Sequence, residues 1–262
     1  MTVAMASFLL LLASFIGLAW SSPLVTASAA AQQVTYGPAA QQTADLYPGP
    51  DGAPVLLWIT GGGWVLDAVP AARPFAQSLA DRGVTVVVPR YTLGDPGAAA
   101  DDVVQAIAWA DQLPGRGALT IGGHSSGATM AALVVDQGRT APVDSMLLVS
   151  GIFDLPGAVA DGGIAAQIVR RAFGSDEATW AANSPSQYVH AGLPPTWIVH
   201  GTADNDASPA RAEAFATQLE AVGTVVRWTP IAGAGHLDTL PALALRPTLA
   251  DALVAWLRKA EL

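Results

Sequence analysis

The chain of 262 residues contains no cysteine and only one lysine, Lys259. The absence of cysteine excludes disulfide bonds, a thiolate nucleophile and every metal site that depends on thiolate ligands. Charged residues make up only 13% of the sequence, and 21 acidic residues outnumber 12 basic ones, for a formal net charge of -9. Because an acidic surface repels phosphate backbones, nucleic-acid binding is not expected.

The N-terminal apolar run, Phe8 to Trp20, is 13 residues long. A membrane-spanning helix needs about 20 residues. Small residues follow the run, among them Ala27 and Ala29, at the spacing that signal peptidases accept. We therefore expect residues 1–31 to be a secretory signal peptide and the mature protein, free of any membrane span, to be secreted or periplasmic. An uncleaved N-terminal anchor is the alternative, because no Lys or Arg precedes the run.

Short apolar runs alternate with amphipathic stretches from about residue 41 onward. Runs that lack polar alternation, such as PVLLWIT (54–60), are typical of strands covered on both faces of a parallel sheet. Strands are predicted over 54–60, 84–89, 118–123, 143–151, 195–201 and 224–230, and helices over 70–82, 98–113, 125–138, 162–173, 176–182, 209–222 and 247–260. This alternation predicts a single α/β domain over residues 32–262, with a mostly parallel central sheet and helices on both faces.

Two glycine-rich segments follow predicted strands. In IGGHSSGATM (121–130), Ser125 stands between Gly123 and Gly127, after a strand and before a helix. This is the context of a sharp turn that presents a nucleophilic serine. In ITGGGW (59–64), three glycines allow backbone N–H groups to approach a substrate oxygen. For each segment, an ordinary flexible loop is the alternative interpretation.

Two further segments carry acid and base candidates. HGTADND (200–206) places Asp204 and Asp206 after a predicted strand, and GAGHLDT (233–239) places His236 after the next one. The carboxyl ends of parallel strands are where α/β sheets form their sites. The order serine, aspartate, histidine is the one found in α/β hydrolases. Asp206 competes with Asp204 for the role of the acid.

With these segments the chain resembles α/β-hydrolase fold esterases of the hormone-sensitive-lipase and feruloyl-esterase-like group, over roughly residues 41 to 260. The resemblance rests on the serine turn and on TGGGW (60–64), RYTLGDP (90–96), DDVVQAIAW (101–109), SGIFDL (150–155), SPSQYV (184–189) and HGTAD (200–204). It implies the α/β-hydrolase fold with a small lid and no cofactor. Thr60 stands where the group usually has a histidine, which leaves the donors of the glycine loop open.

The resemblance also implies roles for individual residues. Ser125 would be the nucleophile, Asp204 the acid and His236 the base. The backbone N–H groups of Gly62, Gly63 and Ser126 would surround the oxyanion. Beside the glycine loop, Trp64 either lines the substrate pocket or packs in the core. No set of histidines and carboxylates has metal-ligand spacing, so no metal is expected.

The expected partner is a small-molecule ester. The segment between residues 151 and 195 carries only short helices, which favours a small lid, an open site and short-chain acyl esters. Two alternatives stay open at this point. One is an amidase or arylformamidase, which uses the same residues. The other is a non-catalytic binding protein on the same scaffold. The sequence gives no indication of the oligomeric state.

Overall fold

Residues 31–258 are described by a computed structural model. The predicted signal peptide, apart from Ala31, lies outside the described residues. Within residues 31–258, no single helix is long and apolar enough to cross a membrane. Two consecutive helices, Thr239–Leu245 and Pro247–Arg258, reach the required length and apolar composition only when taken together. Their axes are bent by 85° at the break between them.

An eight-stranded sheet runs through the centre of the fold. Strands β1 to β8 are, in chain order, Gln32–Thr35, Thr43–Tyr47, Val55–Ile59, Thr85–Pro89, Leu119–His124, Ser145–Val149, Thr196–Gly201 and Val226–Ile231. Their order in the sheet is β1-β2-β4-β3-β5-β6-β7-β8. β3 to β8 pair in parallel, whereas β1 and β2 pair antiparallel at one edge. All six predicted strands are confirmed, and β1 and β2 are additional.

Nine α-helices accompany the sheet in the described part of the chain. Helices α1 to α9 are Val69–Ala80, Pro96–Asp111, Ser126–Asp136, Leu155–Asp161, Gly163–Phe173, Glu177–Ala182, Pro209–Ala221, Thr239–Leu245 and Pro247–Arg258. The seven predicted helices are confirmed. The sequence pattern does not predict α4 and α8, because each has only seven residues and contains a proline.

Two apolar cores cover the two faces of the sheet. Leu57 and Ile59 of β3 belong to the core shared with α2, α3 and α7. Leu56 and Trp58 of the same strand belong to the core shared with α1, α8 and α9. Strand β3 is therefore buried on both faces, as its unbroken apolar run predicts. Because β3 to β8 run in parallel, their carboxyl ends lie at the same end of the sheet. The loops that follow these ends carry the candidate residues.

Asp136, the last residue of α3, is a buried carboxyl group in an apolar setting. It is 2% exposed, and neither of its carboxylate oxygens has a hydrogen-bond partner in the described structure. Burial raises the pKa of Asp136 well above its ordinary value. Its place at the negative end of a helix dipole also disfavours the charged form. The folded protein therefore holds a proton that the unfolded chain releases near pH 4, the ordinary value being about 3.9.

We expect Asp136→Asn to remove a pH dependence of stability. The contribution of the protonated Asp136 is fully present below its unfolded pKa and is lost as the pH rises toward the raised folded pKa. The variant cannot titrate at this position. Its Tm, relative to the wild-type Tm, should therefore increase by a few degrees as the pH rises from about 4 to about 8. Thermal melts across this range measure the effect. Parallel curves for the two proteins would contradict it.

Candidate active site

The turn between β5 and α3 holds Ser125 in a strained backbone conformation. Its φ of 55° and ψ of -126° lie in a region that side-chain-bearing residues rarely adopt. The neighbouring glycines make the turn possible. A Cβ atom on Gly123 would lie 2.5 Å from the carbonyl carbon of Gly127, and one on Gly127 would lie 2.2 Å from the carbonyl oxygen of Ile59. The predicted sharp turn between strand and helix is confirmed.

His236 and Asp204 form a buried pair on the loops that follow β8 and β7. Nδ1 of His236 lies 2.8 Å from Oδ2 of Asp204. Because a carboxylate can only accept, Nδ1 carries the proton, and Nε2 of the neutral ring is left as the basic nitrogen. Asp206, the competing candidate, instead donates its backbone N–H to Oδ1 of Asp204 at 2.9 Å. Asp204 is therefore the carboxylate that contacts His236.

Four donors surround the carboxylate of Asp204. Oδ1 accepts the backbone N–H groups of Asp206 and Ala207, at 2.9 and 2.8 Å. Oδ2 lies 2.8 Å from Nδ1 of His236 and 3.1 Å from Nε2 of His200. Burial by itself raises the pKa of Asp204, but the hydrogen bonds from His200, His236 and Ala207 outweigh it and hold the pKa well below its ordinary value. Asp204 is thus a fixed negative charge at neutral pH.

His124 connects the serine turn to the loop of His236. It directly precedes Ser125, and its Nε2 lies 2.9 Å from the backbone oxygen of His236, with the two rings 4.8 Å apart. Burial lowers the pKa of His124 to about 3, so the ring is neutral and its Nε2–H donates to the carbonyl. Through this contact the loop of His236 is packed against the turn of Ser125.

The glycine loop after β3 passes directly over Ser125. A Cβ atom on Gly61 would lie 3.1 Å from the Cβ of Ser125. Gly62 and Gly63 have φ values of 114° and 60°, which glycine adopts without steric cost. The N–H of Gly63 donates to Oγ of Ser126 at 3.0 Å. This donor, which the sequence predicts to face a substrate oxygen, is therefore engaged by a side chain whose role the sequence does not reveal.

Tyr91 contacts the backbone at the start of the glycine loop. Its hydroxyl lies 2.9 Å from the backbone oxygen of Thr60 and 3.1 Å from that of Gly61. Burial raises the pKa of Tyr91 well above its ordinary value, so the hydroxyl keeps its proton and donates. Tyr91 of the RYTLGDP segment thus supports the loop in which Thr60 stands in place of the usual histidine.

We expect Tyr91→Phe to lower kcat more than it changes KM. The substitution leaves two buried carbonyl groups without this donor, at a cost of about 1–3 kcal/mol, and it loosens a loop that stands over Ser125. Thermal melts and steady-state kinetics measure the two effects. Tyr188→Phe is the matched control, because the Tyr188 hydroxyl donates to the exposed carbonyl of Ala182. Equal kcat values for the two variants would contradict the supporting role of Tyr91.

Trp64 directly follows the three glycines of the loop, and only 1% of its surface is exposed. Its ring packs edge-on against Phe173 of α5, with ring centroids 4.9 Å apart. This burial favours core packing, one of the two roles that the sequence leaves open for Trp64. Ile168 of the same helix approaches the loop as well, because a Cβ atom on Gly63 would lie 3.1 Å from its Cγ2.

Helices α4 to α6 lie between β6 and β7, where the sequence predicts a small lid. Arg211 of α7 anchors this lid, since it donates to Asp154 at 2.7 Å and to Asp161 at 2.5 Å. Asp238, in the loop of His236, is exposed and accepts the N–H of Gly235. Within residues 31–258, no three His, Asp or Glu side chains are arranged to hold a metal ion.

Residues 56–238 match a family model described as alpha/beta hydrolase fold. The match covers well over half of the chain, and the protein belongs to this family. The predicted fold class is therefore confirmed both by the sheet and by the family.

Two curated proteins from Mycobacterium tuberculosis strain H37Rv are similar to the chain. Esterase LipQ is 27% identical in an alignment that covers 86% of this chain and 61% of LipQ. Esterase LipC is 25% identical in an alignment that covers 83% of this chain and 62% of LipC. The chain thus spans about three fifths of the length of these relatives.

Solved structures of esterases share the fold. The structure of Thermogutta terrifontis esterase 2 phosphonylated by sarin superposes with a TM-score of 0.70 and 22% identity, covering 87% of this chain and 94% of that chain. A truncated carbohydrate esterase from gut microbiota superposes with a TM-score of 0.75 and 16% identity, again covering 87% and 94%. At these identities the comparison establishes the fold alone.

Proposed function

We propose that the protein is a serine hydrolase that cleaves carboxylic esters, with Ser125 as the nucleophile, His236 as the general base and Asp204 as the carboxylate that orients it. One observation carries the proposal: the His236–Asp204 pair, joined at 2.8 Å, is packed against a strained turn that presents a serine. The esterase relatives support the same reaction class.

In the proposed reaction, Nε2 of His236 takes the proton of the Ser125 hydroxyl as Oγ attacks the ester carbonyl. Asp204 accepts the Nδ1–H of the ring and stabilises the imidazolium that forms. The imidazolium then gives its proton to the leaving alkoxide, and the alcohol departs. Water, activated by His236, hydrolyses the acyl-enzyme in the same way.

Backbone donors of the glycine loop and of α3 would stabilise the tetrahedral oxyanion. Ser126 is the first residue of α3, so its N–H lies at the positive end of the helix dipole. The N–H of Gly62 belongs to the loop that stands over Ser125. The N–H of Gly63 would exchange its hydrogen bond to Ser126 Oγ for one to the oxyanion. Loss of one such donor costs about 10²–10³ in rate.

Short acyl groups are the proposed substrates. The lid between β6 and β7 consists of three short helices, and α5 packs Phe173 and Ile168 directly onto the glycine loop. This packing narrows the space on that side of the loop and supports a preference for short acyl chains. A short acyl chain on a sugar or on a small alcohol fits such a site.

Hydrolysis of p-nitrophenyl esters from acetate to palmitate tests the proposal. We expect the highest kcat/KM for the shortest esters and a steady fall with chain length. A preference for palmitate would overturn the short-chain specificity. If the protein hydrolysed none of these esters but did hydrolyse the matched amide p-nitroacetanilide, it would be an amidase. That result would overturn the proposed esterase function.

A further inference from the structure

A second imidazole contacts the carboxylate of Asp204. His200, at the end of β7, is fully buried, and its Nε2 lies 3.1 Å from Oδ2 of Asp204. This is the same oxygen that lies 2.8 Å from Nδ1 of His236. Three of the four histidines in the chain therefore belong to one connected group, because His124 contacts the backbone of His236.

The neighbours of His200 fix its protonation. Besides Asp204, its Nε2 contacts the backbone oxygen of Ala207 at 3.0 Å. Both neighbours are acceptors, so Nε2 must carry a proton. Nδ1 is buried without a hydrogen-bond partner in the described structure. A second proton there would be a buried N–H donor without an acceptor, which is costly. His200 is therefore a neutral ring that donates from Nε2.

We propose that His200 is a positioning residue, which orients Asp204 and limits the negative charge that Asp204 presents to His236. This inference rests on the proposed function, because it concerns the same acid and base. The Nδ1–H of His236 and the Nε2–H of His200, which is shared with the backbone oxygen of Ala207, each take part of the charge on Oδ2. Removal of His200 would leave Oδ2 to His236 alone. The carboxylate would then stabilise the imidazolium form of His236 more strongly. It would also lose one of the four contacts that fix its orientation.

Two other titratable groups face this cluster. His124, at the end of β5, is neutral because burial lowers its pKa to about 3. Asp206 lies in the loop of Asp204, and burial raises its pKa. Both residues are present unchanged in every His200 variant, so the Met and Gln variants differ from each other only at position 200.

A matched pair of substitutions tests the role of the donor. Met and Gln have nearly the same length and volume, but only Gln carries an N–H at its end. For His200→Met we expect kcat to fall about tenfold, with KM unchanged. The acidic limb of the kcat/KM profile should move to higher pH by about half a unit to one unit. His200→Gln should restore both values toward the wild type. His190→Met, at an exposed histidine, should change neither.

The outcomes separate this inference from the proposed function. If the wild-type protein hydrolyses esters and Ser125→Ala does not, the proposed function stands. If Met and Gln at position 200 then give the same kcat and the same acidic limb, the positioning role is overturned alone. Absence of ester turnover in the wild-type protein would instead reject the proposed function.

A spectroscopic readout keeps the inference testable without turnover. In ¹H–¹⁵N spectra of the wild-type imidazoles, His200 should be the neutral Nε2–H tautomer. The low-field resonance of the His236 Nδ1–H should move further downfield in His200→Met and return in His200→Gln. An Nδ1–H or charged His200 in the wild type would overturn the inference even if the Met variant did not fold.

Discussion

Replacement of Ser125 by alanine should lower kcat for p-nitrophenyl acetate by a factor of about 10⁴ or more. The variant lacks the oxygen that attacks the carbonyl, so the acyl-enzyme cannot form. KM should change little, because the glycine loop and the lid remain in place. Thermal stability should also be retained, since the backbone strain at φ 55° is the same for Ala and Ser. Steady-state kinetics and a thermal melt measure these effects.

The adjacent serine provides the control for this result. Ser126→Ala keeps the Ser125 hydroxyl and the backbone N–H of residue 126, and it removes only the oxygen that accepts the N–H of Gly63. We expect at most a several-fold change in kcat. Comparable losses in the two variants, or substantial turnover by Ser125→Ala, would contradict the role of Ser125 as the nucleophile.

Gly127→Ala is expected to be the most damaging substitution for the fold at the site. The new Cβ would lie 2.2 Å from the carbonyl oxygen of Ile59 and 2.6 Å from that of Thr60. Both contacts are with backbone that leads into the glycine loop, so no flexible side chain can move aside. Relief requires that α3 separate from the end of β3. Overpacking of this kind costs roughly 3 kcal/mol or more, enough to abolish activity and to lower the yield of folded protein.

The same change in α2 serves as the control. A Cβ on Gly97 would meet only Oδ1 of Asp95, at an ordinary 3.4 Å. Gly97→Ala should therefore be neutral or slightly stabilising, because Ala is the better helix former. Soluble yield and melting by circular dichroism compare the two variants. A wild-type Tm for Gly127→Ala would show that the close approach of α3 to β3 is not required.

Strands β3 to β7 could be predicted from the sequence because burial on both faces leaves apolar runs. Strands β1 and β2 could not be predicted in this way. Three of the four residues of β1 are exposed, so the strand depends on its pairing with β2 rather than on an apolar pattern. β2 in turn is defined by its antiparallel pairing with β4, about forty residues later in the chain. Such long-range pairing leaves no local signal.

The site could be predicted in part. Ser125, Asp204 and His236 follow β5, β7 and β8, which indicates that their loops lie at the same end of the parallel sheet. Side-chain directions, however, are decided by tertiary packing. The spacing of four residues between His200 and Asp204 does not show that the ring turns back to the carboxylate. The glycine loop likewise gives no sign that Trp64 is buried or that the N–H of Gly63 is bound by Ser126.

Reaction with a fluorophosphonate probe, followed by peptide mapping, tests most directly whether Ser125 is an activated nucleophile. We expect a single adduct on the peptide that contains Ser125, formed rapidly by the wild-type protein and far more slowly by His236→Ala. No adduct on that peptide, or equal labelling rates in the two proteins, would contradict the role of Ser125 as an activated nucleophile.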